Sequence, residues 1–210
     1  MNTVPFFRLM FAGFLTLLAL APATSASAAE KEIFRYTFQG QTGTVYASSF
    51  DGCISSGVQV QAVDGRVKAE GRPQAVSSAY IGIWQYNYCT YSWVDAWGYT
   101  ELDADAFQIN NGLNSAKLNT TIQTYDYWSG NMISVDVNIT LEGTGDTVRS
   151  KSRYQYSSPV YKHTYRTDSA FRSATASGTI TTFAGTFDVG QSGSGYMESV
   201  KNGNMSMYRP

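Results

Sequence analysis

The chain has 210 residues, 43% of them hydrophobic and 15% charged, with a formal net charge of −1 at pH 7. That balance excludes the strongly basic footprint of a nucleic-acid-binding protein, and the apolar content is ample for a hydrophobic core. Charge is unevenly placed, with six basic and thirteen acidic residues from Glu30 to Asp146 against eight basic and three acidic from Thr147 to Pro210.

The N-terminus carries Arg8, an apolar run from Leu9 to Ala21, Pro22 and the small-residue segment ATSASAA. That order predicts a secretory signal peptide over residues 1–29 and a single domain over 30–210. The apolar run is shorter than the ~20 residues a spanning helix needs, and nothing later is long enough. The expected location is secreted or periplasmic, without stable membrane insertion after cleavage. In an exported chain the two cysteines, Cys53 and Cys89, predict a disulfide that pins the segment SSFDGCISSG to the strand holding Cys89.

In chain order, Ile33 to Phe38 alternates Phe34, Tyr36 and Phe38 against Ile33, Arg35 and Thr37, a short strand with an aromatic inward face. Gln39-Gly40-Gln41 reads as a turn, and Thr44 to Ala47 as the returning strand. Asp64-Gly65 then predicts a two-residue hairpin in which Val63 meets Arg66, Ala62 meets Val67 and Val60 meets Ala69. From Ala79 to Tyr99 the segment AYIGIWQYNYCTYSWVDAWGY is dense in β-formers. Alternation assigns Tyr80, Trp84, Tyr86 and Tyr88 to one face and Ile81, Ile83 and Cys89 to a core face. Glu101, Asp103 and Asp105 alternate with Leu102, Ala104 and Ala106, as on a strand with an acidic solvent side.

Lys117 to Tyr127 and Met132 to Glu142 form the clearest predicted hairpin, with Tyr127 opposite Met132 and a dry face that places Leu118 beside Leu141. Thr147 to Tyr156 sets Arg149, Lys151 and Arg153 on one face and Val148, Tyr154 and Tyr156 on the other. Pro159 breaks that ladder, and Val160 to Arg166 adds Lys162, His163 and Arg166. Arg149, Lys151, Arg153, Lys162 and Arg166 form a candidate basic patch for anionic polysaccharide or phosphate; a charged edge that discourages strand pairing is the alternative. Ala174 to Thr181 is a strand with a small-residue inner face, continued by Phe183 and Phe187. The segment GQSGSG reads as loop, and Tyr196 to Val200 and Met205 to Tyr208 as a hairpin across Asn202-Gly203. The predicted fold is all-β, an antiparallel β-sandwich or open β-barrel of ten to thirteen strands with one disulfide.

Nucleophile elbows, zinc-protease helices, P-loops and dinucleotide fingerprints are absent from the sequence, and one histidine leaves no multi-histidine metal centre. No cofactor or metal is expected. Aromatic density is the unusual signal, because rings on extended strands stack on sugar faces while Tyr and Trp also hydrogen-bond. Trp84, Tyr86, Tyr88, Trp93, Trp97 and Trp128 are therefore candidate platform residues of a non-catalytic carbohydrate- or envelope-glycan-binding module. The alternatives are a secreted structural or extracellular protein-recognition role, and a two-carboxylate glycoside hydrolase using residues such as Asp136 and Glu142.

Overall fold

The structure is a computed structural model that describes residues 33–69, 72–127 and 129–208. The predicted signal peptide and Trp128 lie outside the described residues. The elements in chain order are β1 (Ile33–Asp51), β2 (Ile54–Ala69), β3 (Gln74–Asn87), β4 (Ser92–Glu101), β5 (Phe107–Ile109) and β6 (Ser115–Asp126). They continue with β7 (Met132–Gly143), β8 (Val148–Ser157), β9 (Tyr161–Thr182), β10 (Gly185–Asp188), the single helical turn α1 (Val189–Ser192) and β11 (Gly193–Tyr208).

Antiparallel pairing runs β1–β2–β3–β4–β6–β7–β9–β11 and returns to β1, so eight strands close into a barrel. The seam between β4 and β6 is the shortest, spanning Ala96 opposite Asp126 to Gly98 opposite Thr124. Alternation fills the interior: Val45, Val60 and Ile81 are directly opposed across β1, β2 and β3, while Ile122 faces Val135 and Val137 faces Ile180. All seven are at most 1% exposed. Burying an aliphatic side chain of this kind contributes roughly 1.5–3 kcal/mol. Phe107 and Leu113 are buried against the same core. The void beside Gly43, Phe107, Leu118 and Leu141 is about 10 Å³, enough for one water and no ligand, so this is a filled barrel rather than a chambered one. Asn119, Thr121, Gln123, Asp136 and Asn138 are exposed on the outer wall of β6 and β7, the inverse of a lipid-facing barrel surface.

The 22-residue β9 serves two structures. Its C-terminal half pairs with β7 in the barrel wall, and its N-terminal half pairs with β8, from Val148 opposite Phe171 to Ser157 opposite Lys162. There β8, β9, β11, β1 and β2 continue beyond the barrel as a single-layer sheet. Every residue of β8 is exposed, so both faces of that edge strand meet solvent.

Three glycine-containing dipeptides read as turns lie inside strands. Gly40 sits directly opposite Gly65 in the uninterrupted β1–β2 ladder, and Asn202-Gly203 lies mid-way along β11 between β1 and β9. Gly40 and Gly65 answer a close-approach requirement instead. A Cβ on Gly65 would stand 2.7 Å from the Gln39 carbonyl oxygen and 2.8 Å from the Gly40 Cα, and one on Gly40 would meet the Phe38 ring at 2.6 Å. The pair marks where β1 and β2 leave the barrel wall for the single layer. The true turn is Gly52-Cys53, with Gly52 at φ 55° and Asp51 opposite Ile54. Because the obstacles at Gly65 are backbone atoms, Gly65→Ala is expected to cost about 1–3 kcal/mol, read as a lowered urea midpoint with unchanged slope.

Other expectations are corrected in register or extent. In β6–β7, Leu118 faces Ile139 and Tyr125 faces Met132, a two-residue slip that keeps every side chain on its predicted face. The cause is a wider loop: Gly130 N–H donates to the Asp126 carbonyl, Asp126 N–H to the Asn131 carbonyl, and Gly130 has φ 71°. The acidic segment 102–106 is a turn between β4 and β5, with Ala106 N–H donating to the Asp103 carbonyl. Val189–Ser192 forms a helical turn capped by Asp188 Oδ1, where only loop was expected.

Candidate functional site

The segment 79–99 folds as the β3–β4 hairpin. Ala79, Ile81 and Ile83 enter the core as predicted. Cys89 does not join them, because β3 ends at Asn87, whose Oδ1 accepts from the backbone N–H groups of Cys89 and Thr90 and closes the turn. Cys89 is exposed in that turn and bonded to Cys53, with their Cα atoms 5.4 Å apart. The disulfide thus ties the β1–β2 turn to the β3–β4 turn, reinforced by a 2.7 Å hydrogen bond from Tyr88 N–H to the Cys53 carbonyl.

The opposite face of the hairpin collects rings. Trp84 is paired with Gly57 on β2, and a Cβ on that glycine would collide with the indole, so the ring lies flat over the neighbouring backbone. Trp97 is paired with Gly82, and a Cβ there would stand 3.3 Å from Cζ3. Rings seated over glycine in this way are held flat against the sheet. Trp84 and Tyr86 are half-buried, whereas Trp93 is 46% and Trp97 41% exposed. Trp97 Nε1–H donates to Asp95 Oδ2 at 3.1 Å, and Asp95 stands opposite Trp84, so one carboxylate is held between the two indoles.

Ring contacts extend the surface. Tyr86 lies 6.0 Å from Trp93 and 4.6 Å edge-on from Tyr88, which reaches Phe50 at 6.2 Å across the disulfide end. Tyr80 packs 5.6 Å from Trp97, and Tyr125 of β6 stands opposite Trp97 with Tyr127 5.3 Å beyond it. Of the six platform candidates, Trp84, Tyr86, Trp93 and Trp97 share one face, Tyr88 joins them from the turn, and Trp128 lies outside the described residues. Phe50, Tyr99, Tyr125 and Tyr127 were not singled out from the sequence. Tyr125 arrives through the β4–β6 seam, and no local pattern announces that pairing.

Burial pushes the Tyr80 phenol up to about 12 from 10.0. Tyr46, against which Tyr196 stacks at 6.5 Å, is likewise raised to about 12, by burial first and then by Tyr196. Tyr36 is raised too, by burial and then by Tyr165. A phenol whose folded pKa exceeds its unfolded value gives stability that is present below pH 10 and is lost as pH rises toward 12, because the unfolded chain releases the proton first. Thermal melts should therefore fall across that window, with a shallower fall in a Tyr46→Phe/Tyr80→Phe protein.

Arg149, Lys151 and Arg153 do share a face of β8, and the register sets Arg153 directly opposite Arg166 and Ser157 opposite Lys162. His163 instead projects to the other face, where Nδ1 is 3.0 Å from Ser206 Oγ and its ring stacks 6.0 Å from Tyr161. Asp136 and Glu142 lie six residues apart along β7, roughly 20 Å at the strand rise, too far for a glycosidase pair. Asp136 is engaged by the Thr121 hydroxyl at 2.8 Å. A groove of about 330 Å³ beside Asn110, Lys117 and Glu142 carries one carboxylate. Among the described residues no three His, Cys, Asp or Glu side chains cluster as a metal site, and no helix is long and apolar enough to cross a membrane.

No protein-family model matches the chain, and no curated protein matches it. Among solved structures, a candidate AttH protein from Nitrosomonas europaea overlaps it at 12% identity with a TM-score of 0.30. The overlap covers 84% of this chain and 51% of that one, so the chain spans about half of that protein's length. An overlap of that quality carries neither a topology nor an activity across.

Proposed function

We propose that this chain is an exported, non-catalytic module that holds carbohydrate on the outer face of the β3–β4 hairpin. The observation that carries the reading is the pair of indoles seated on Gly57 and Gly82, with Asp95 fixed between them by the Trp97 N–H. A ring held flat on a sheet presents its remaining π surface to a sugar face without losing rotamer freedom on binding, and a neighbouring carboxylate accepts from sugar hydroxyls. The surface is a wall rather than a pocket, which suits an extended polysaccharide or a glycan-covered surface better than a single enclosed sugar. Screening the folded protein on a glycan array, with Trp93→Ala and Trp97→Ala proteins beside it, tests this directly. Signal that persists unchanged in both variants defeats the assignment.

A second reading, recognition of an extracellular protein, draws on the same lack of a cleft, since exposed aromatic clusters also anchor protein interfaces. It is distinguished by a partner captured in pull-down through the same two tryptophans with no response on the glycan array.

A further inference from the structure

The single-layer sheet separates its chemistry by face. The register carries the basic face of β8 and β9 across the sheet: Asp168 lies opposite Lys201, Lys201 opposite Gln39, and Gln39 opposite Arg66. One residue pair along, Arg166 lies opposite Gly203, Gly203 opposite Thr37, and Thr37 opposite Lys68. Arg35 and Lys162 share this face. Against these cations and the β8 triplet stand Asp64 and Asp168 among the described residues, and Asp168 is taken by Lys151 at 3.4 Å. The rings of this region, Tyr36, Tyr154, Tyr156, Tyr161, His163 and Tyr165, all lie on the reverse face.

We infer that the basic face binds a linear anionic polysaccharide lying across the strands. Two rows supply the contacts, Lys151–Lys201–Arg66 and Arg153–Arg166–Lys68, about 7 Å apart along the strands and each reaching roughly 19 Å over five strands. Gly203 lies between Arg166 and the edge of β1, and a Cβ built on it would meet nothing within 4 Å, so the floor of the track is low and open at its centre. Arg153 and Arg166 are directly opposed like charges, an arrangement that destabilises an empty sheet and that a bound anion relieves. Separation of the rings from the cations argues against single-stranded nucleic acid, whose binders stack bases beside the phosphate track. The surface is distinct from the β3–β4 platform, and its test is independent of the proposal made for that site.

The probes are heparin and polygalacturonate, with dextran, an oligo(dT) strand and phosphatidylglycerol vesicles as comparators, all against the full mature chain. Heparin or polygalacturonate should bind with an affinity that falls steeply with salt. Arg153→Gln/Arg166→Gln should weaken it at least ~10-fold while leaving the melting temperature unchanged or higher, because a repulsive pair is removed. Lys117→Glu on the barrel wall should leave polyanion binding within about twofold. The inference is overturned by no polysaccharide binding at low salt, by full binding in the double Gln protein, or by tighter binding to oligo(dT) or to vesicles than to either polyanion.

Discussion

Converting Cys53 and Cys89 to serine is expected to lower the melting temperature by about 10 °C and the stability by about 4 kcal/mol. The link spans 36 residues, and closing a loop of that length removes roughly 4 kcal/mol of conformational freedom from the unfolded chain. For a domain of this size each kcal/mol moves the melting point by about 2–4 °C. The native contacts should survive, because the β2–β3 ladder already sets Ile54 opposite Asn87 beside the bridge. The loss therefore acts through the unfolded state, and the denaturant slope should steepen as the unlinked chain expands. Local fraying adds to it at the Phe50–Tyr88 contact and the Tyr88 N–H to Cys53 carbonyl bond. A shift under about 2 °C in matched melts would mean that the reduced chain keeps this hairpin closed when unfolded.

The all-β class, the disulfide and most core faces were legible because alternation and cysteine pairing are local or chemically compulsory. Leu118, Ile122, Val135 and Val137 face the core despite the register slip, since a shift of two residues preserves facing. Strand continuity was not legible. Asp51-Gly52 and Asp64-Gly65 are the same dipeptide, yet only the first turns the chain; the second is held straight by pairing with β1 on one side and β3 on the other. A glycine answers either to a turn or to a neighbouring backbone, and sequence does not say which. Asn202-Gly203 in β11 is likewise held straight by β1 and β9, although a Cβ on Gly203 would meet nothing within 4 Å.

The site was legible in part. Periodicity placed Tyr80, Trp84 and Tyr86 together, and it placed the β8 cations on one face. Trp93 and Trp97 were named by composition, but their alignment beside Tyr86 and Gly82 depends on the loop closed by Asn87. The extension of the basic face to Lys201, Arg66 and Lys68 depends on β11 and β1 lying between distant segments, so residues carrying the excess positive charge of the C-terminal half share one face with cations from an acidic N-terminal half.

Replacing both Trp93 and Trp97 by alanine is expected to reduce glycan affinity at least ~100-fold, with each single change contributing roughly 10–30-fold. Aromatic anchors at the centre of a binding surface typically cost about 2 kcal/mol or more when truncated, and 1.4 kcal/mol is a tenfold change in affinity. Because these indoles are 46% and 41% exposed, the matching stability loss should stay near ~1 kcal/mol per residue, well below that of a core truncation. Trp84→Ala supplies the contrast: its indole covers Gly57, so its removal should cost about 2 kcal/mol of stability along with affinity. Trp97→Phe keeps the ring but drops the N–H that orients Asp95, and should recover only part of the binding. Asp95→Asn keeps an acceptor for that N–H and should retain most of it. If Trp93→Ala and Trp97→Ala each lose as much stability as Trp84→Ala while binding is unchanged in all of them, the rings are sheet cover and the platform assignment fails. A graded loss that follows ring, then indole N–H, then carboxylate, with melting temperatures lowered by only about 2–4 °C per tryptophan at Trp93 and Trp97, is what a stacking surface produces and what packing alone does not.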